Sequence, residues 1–66
     1  MTNLKRIRTS AGLSQSQLAE LSGISVRSLQ HYEQGARDIN KAQAIILLQF
    51  ARALKVNIED IMEIEQ

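Results

Sequence analysis

The chain has no cysteine, so it can form no disulfide and offers no thiolate to a metal ion or a redox couple. Small secreted domains usually depend on such staples, and their absence leads us to expect a reducing, cytoplasmic setting. Proline and tryptophan are also missing, and there are only three glycines, one tyrosine and one phenylalanine. With few β-branched or aromatic runs and with Leu, Ala, Gln, Glu and Arg throughout, no stretch reads as a strand. Long apolar runs are lacking as well. The longest, Ala44 to Leu48, is five residues, against the roughly 18 that a membrane span requires. Met1 to Arg8 has no signal-peptide core, so neither a membrane partner nor export is expected. An excess of charge of either sign is absent too, with a net charge of +1.

What is present is 66 residues with 44% hydrophobic and 23% charged side chains, the composition of one small globular all-α domain spanning residues 1–66. The charge is unevenly placed. Residues 1–41 carry six Lys and Arg against Glu20, Glu33 and Asp38, whereas residues 42–66 carry Arg52 and Lys55 against Glu59, Asp60, Glu63 and Glu65. The resulting dipole can orient the protein on a polyanion despite the small total.

Five helices can be read from apolar spacing and punctuation. Leu4, Ile7, Arg8 and Ala11 repeat at helical spacing after Asn3, a candidate cap, and Gly12 ends the run. Ser14 and Gln17 have capping-box spacing, with Leu13 and Leu18 placed as a hydrophobic staple, and this second helix stops at Gly23. Ser25 caps a third helix, with Leu29 and Tyr32 inward, that ends at Gly35. A loop over residues 36–39 leads to a longer helix, for which Asn40 and Gln43 repeat the cap spacing and Ala44, Leu47, Leu48, Ala51 and Leu54 form the inward stripe. Asn57 caps a short fifth helix with Glu59 and Asp60 in its first turn, and Ile58, Ile61 and Met62 close the bundle.

The second and third helices are separated only by residues 21–24, and this pair, over about residues 15–34, describes a helix-turn-helix. The turn needs a residue tolerant of positive φ, which is Gly23, and close crossing needs a small side chain, which is Ala19. With Arg8, Gly12-Leu13-Ser14-Gln15, Leu18-Ala19, Gly23-Ile24-Ser25, Tyr32-Glu33, Gly35, Leu54, Val56 and Ile61, the chain resembles the lambda-repressor-like helix-turn-helix family, the Cro/cI or XRE type. The resemblance implies a compact five-helix domain that binds double-stranded operator DNA as a homodimer, with the third helix in the major groove.

Carried over by residue, the resemblance places Gln15 on a phosphate or base edge, and Val26, Arg27 and His31 on the groove face. Helical geometry agrees, since positions 26, 27, 30 and 31 point away from Leu29 and Tyr32, which adds Gln30. Arg27 can read guanine O6 and N7, Val26 can pack on a thymine methyl, and His31 can meet a base, a phosphate or solvent. Ser25 is first a cap and second a DNA contact. Gln34, Arg37, Asn40 and Lys41 lie where relatives touch the backbone, although Asp38 and Ile39 interrupt a loop that is often basic. Arg8 and Glu33 recur in the family as an ion pair joining the first helix to the third.

More apolar residues are present than two helical stripes can bury. Ile39, Ile46, Met62 and Ile64 are therefore expected at a homodimer contact. The function expected is a transcriptional regulator, most simply a repressor on a palindromic operator, in a bacterial cytoplasm or nucleoid or in a phage. The alternative is an antitoxin-like interaction module whose DNA binding is autoregulatory, disfavoured because only Glu63 to Gln66 follow the fifth helix. No nucleophile and base pair, phosphate loop or metal cluster is apparent, so neither an enzyme nor a cofactor, metal site or small-molecule ligand is expected.

Overall fold

Thr2 has the extended backbone that a helix cap requires, and its hydroxyl accepts the N–H of Lys5 at the start of α1 (Asn3–Ser10). Asn3, the cap expected from sequence, is instead the first helical residue. Its side-chain amide donates to the Met62 carbonyl at 2.8 Å, so it ties the two ends of the chain together. The computed structural model describes residues 1–64.

α2 (Gln15–Ser22) opens on a reciprocal capping box. Ser14 Oγ accepts the Gln17 N–H at 3.0 Å, and Gln17 Oε1 accepts the Ser14 N–H at 2.8 Å. The helix ends at Gly23, whose φ of 74° is left-handed and whose N–H donates to the Ala19 carbonyl at 2.9 Å. A Cβ there would meet no atom within 4 Å, so the requirement for glycine is conformational rather than spatial. Buried Ser22 settles the polar groups of the turn, donating to the Ala19 carbonyl and accepting the Ile24 N–H. Two residues beyond Gly23, Ser25 caps α3 (Val26–Gln34) through the Ser28 N–H.

The chain next differs from the sequence expectation. Asp38, not Asn40, is the cap, and its carboxylate accepts the Asn40 N–H to start a 3-10 turn over Ile39–Lys41. That turn drives Ile39 inward until it is 3% exposed. Ile39 is therefore a core residue of the single chain and no part of a dimer contact. α4 (Ala44–Leu54) begins later, with Gln43 at the cap position and no side-chain bond there. The helix's buried stripe is Leu47, Phe50, Ala51 and Leu54, with Ala44 exposed and Leu48 half-buried.

Phe50 is fully buried and meets Tyr32 edge-on, with ring centroids 6.0 Å apart and planes at 86°. Each such side chain taken out of water contributes about 1.5–3 kcal/mol. Leu4, Leu18, Ile24, Leu29, Ile39, Leu47, Leu54 and Ile61 complete the core around that pair. α5 (Ile58–Ile61) is a single turn whose Asp60 carboxylate accepts the Asn57 N–H. α1 packs on α3 and α5, α2 on α3 and α4, and α4 on α5, so that α3 is held from two sides. Among the described residues all regular structure is helical, and no helix is long and apolar enough to cross a membrane.

Candidate nucleic-acid interface

The outer face of α3 follows from the burial of Leu29, Tyr32 and Glu33. Helical rotation turns Arg27, Gln30, His31 and Gln34 the other way, while Val26, three residues before Leu29 and seven before Glu33, stands at the edge between the two faces. Arg27 and Gln34 are exposed, whereas Val26, Gln30 and His31 are half-buried. Arg27 therefore stands in water on the second residue of the helix, with a fork of donors suited to the O6 and N7 of guanine. Ser25, exposed just before the helix, uses its hydroxyl locally, on the Ser28 N–H and on Ser28 Oγ at 3.0 Å.

Beneath this face runs a continuous polar network. Arg8 Nε donates to Glu33 Oε2 at 2.6 Å, its Nη2 donates to Glu33 Oε1 at 3.0 Å, and its Nη1 reaches the Leu13 carbonyl at 2.7 Å. The two side chains are 11% and 2% exposed, so the fork joins α1 to the end of α3 largely out of solvent. The hydrogen bond to Glu33 pushes the Arg8 pKa further up, against the pull of burial and with help from the carboxylate's charge. Glu33 Oε1 also accepts from Gln15 Nε2 at 3.0 Å, and Gln15 Oε1 accepts from Gln30 Nε2 at 3.2 Å. Gln15 thus sits at the start of α2 with its amide already engaged on both sides.

At the far end of α3, Gly35 and Arg37 return their N–H groups to the Tyr32 and His31 carbonyls. The Arg37 guanidinium lies 5.5 Å from the centre of the Tyr32 ring. Arg37 and exposed Lys41 line one open groove with Ser28, Tyr32 and Gln43. Ser28 is absent from the sequence-based site, and the only signal that could have found it is its i, i+4 spacing from Tyr32, which makes it a neighbour of that groove. Asn40 does not join the groove. Its side chain clasps the Glu63 backbone, donating to the carbonyl at 2.6 Å and accepting the N–H at 2.8 Å. Asn40, expected at the DNA backbone, is exposed and also tethers the segment after α5 through one N–H and its carbonyl oxygen.

The helix-turn-helix family profile matches residues 4–61, which include the whole network and the α3 face. The chain belongs to the helix-turn-helix family. Within it, the lambda-repressor-like branch is the one whose residues this chain carries. The helix-turn-helix domain is also similar to the crystal structure of the restriction-modification controller protein C.AhdI from Aeromonas hydrophila. The two share 32% identity and a TM-score of 0.80, over 91% of this chain and 86% of that one. A comparison with curated proteins gives no match. A helix-turn-helix domain with this likeness is a DNA-binding regulator of transcription.

Proposed function

We propose that this helix-turn-helix protein reads a palindromic operator as a homodimer and represses transcription by occluding a promoter. One observation carries the reading. An outward row of Arg27, Gln30 and His31, with half-buried Val26 at its edge, stands on a helix that a mostly buried ion pair joins to α1, with Arg37 and Lys41 beyond its end. The row supplies base-edge donors and an apolar contact, while the two cations supply phosphate affinity. One such helix reads only a few base pairs, so a second copy about 34 Å away on a two-fold site supplies the rest. Ile46 and Met62, half-buried, and Ile64, 55% exposed, are the apolar residues proposed for that contact.

The likeness to a restriction-modification controller supports a second reading of the target, namely genes of a restriction-modification system. Footprinting on the DNA upstream of the protein's own gene and its neighbours, with a promoter reporter alongside, tests both. A protected two-fold site and a falling reporter signal are expected. Protection with a rising signal would replace repression by activation, and absence of any protected site would overturn the operator reading.

A further inference from the structure

The network under α3 has a direction, and that direction reaches the reading face. Arg8 has donors only, and the Glu33 carboxylate has acceptors only. Gln15 can therefore meet Glu33 Oε1 only through its Nε2, as it does at 3.0 Å. An amide has one nitrogen end and one oxygen end, so Gln15 Oε1 must face the other way, toward Gln30. Gln30 can answer an oxygen only by donating, again through Nε2, at 3.2 Å. The buried charge of Glu33, itself held by Arg8 at 2.6 Å, thus sets the orientation of the Gln30 amide by way of Gln15.

Resting on the operator reading above, we propose that Gln30 is a specificity-determining residue that selects adenine, and that Gln15 and Glu33 are positioning residues that fix its amide. Once one Nε2 hydrogen is given to Gln15, Gln30 keeps a carbonyl oxygen and a second N–H. These are the acceptor and donor that the adenine N6 amino group and N7 require. A rotated amide would exchange the two ends and mismatch both groups, and the relay prevents that exchange. A free glutamine would order its side chain on binding, whereas this one is ordered beforehand, which lowers the entropic cost of the contact.

The test selects operators from a randomised duplex pool with the wild type, Gln30→Met, Gln15→Met and the double variant, each first checked by a thermal melt. Binding is then remeasured with 7-deazaadenine, which lacks the N7 acceptor, at each selected adenine. The wild type is expected to lose about five- to hundredfold in affinity at one adenine per half-site. Gln30→Met should abolish that sensitivity, and Gln15→Met should reduce it at the same base pair, with a larger loss on cognate than on scrambled duplex. The double variant should be no worse than Gln30→Met. Glu33→Gln, whose amide can both donate and accept, should blur the same preference at temperatures where it remains folded.

If Gln15→Met instead weakens cognate and scrambled duplexes alike and lowers the salt slope by about one, Gln15 is a phosphate contact and the relay proposal is overturned. It is overturned equally if no selected adenine depends on Gln30. A wild type that selects no sequence at all would refute the operator reading itself, an outcome distinct from either.

Discussion

Arg27 and Lys41 both expose a cation, but one stands on the second residue of α3 and the other at the end of the 3-10 turn. Arg27→Ala is expected to cost about 1–3 kcal/mol on cognate DNA and to relax preference at one base pair per half-site. Lys41→Ala should weaken cognate and scrambled duplexes alike and lower the salt slope by about one. Titrations of both duplexes across a salt series separate the two roles. Arg8 and Glu33 belong to stability. Removing one partner strands a mostly buried charge at about 3–5 kcal/mol. Urea melts of Arg8→Met, Glu33→Gln and the double variant should show the double costing less than the sum of the singles. The raised Arg8 pKa means that its contribution is fully present below the ordinary arginine value and is lost only in strong alkali, so neutral-pH melts read all of it. Residue roles were partly legible. Arg27 could be placed from helical phase alone, but the Asn40 side chain could not, since its partner Glu63 lies 23 residues away.

Caps explain where each element starts and stops, and they also show where sequence signals compete. α2 and α3 begin at Ser14 and Ser25 because each serine is followed by the N–H it can accept three residues on. α1 is capped one residue before the expected cap, at Thr2, whose hydroxyl accepts the Lys5 N–H, while the Asn3 side chain bonds to Met62. α4 ends without a glycine. Lys55 takes φ 59°, and Lys55 and Val56 return their N–H groups to the Arg52 and Ala51 carbonyls, the paired bonds of a Schellman motif. A side chain held left-handed stores strain, so Lys55→Gly is expected to raise stability by about 1 kcal/mol, read as a higher urea midpoint with unchanged slope. At Gly23 the sign reverses. Gly23→Ala finds open space but an unfavourable φ, and should lower stability by about 1–2 kcal/mol in the same measurement.

At the scale of the whole molecule, Ile39 and Ile64 make a matched pair for testing assembly. Ile39 is 3% exposed inside one chain, and Ile64 is 55% exposed outside it. Ile39→Asp should abolish the cooperative melt, because it buries an unpaired carboxylate in the core. Ile64→Asp should leave the melt of the monomer intact and shift sedimentation toward monomer, with weaker cooperativity on a palindrome. A wild type that stays monomeric at high concentration and binds a palindrome without cooperativity would overturn the dimer contact. The acidic residues Glu59, Asp60 and Glu63 sit on the same C-terminal side. Screening by salt should therefore strengthen self-association while weakening DNA contact, and the two readouts move in opposite directions.

The sequence by itself determined the helical class, the helix-turn-helix and the outward row on α3. Those features rest on local rules: capping within three residues, glycine at positive φ, and a helical period that separates Leu29 and Tyr32 from Arg27 and Gln30. Tertiary structure alone decided that Phe50 and Ile39 would be core, since a volume must be filled by whichever apolar groups the bundle brings there. It also decided the clasp of Asn40 on Glu63 and the direction of the Arg8–Glu33–Gln15–Gln30 relay. Each of these is a hydrogen bond between groups distant in sequence. Local periodicity carries no information about such pairs, and only the packed chain puts donor and acceptor within about 3 Å of one another.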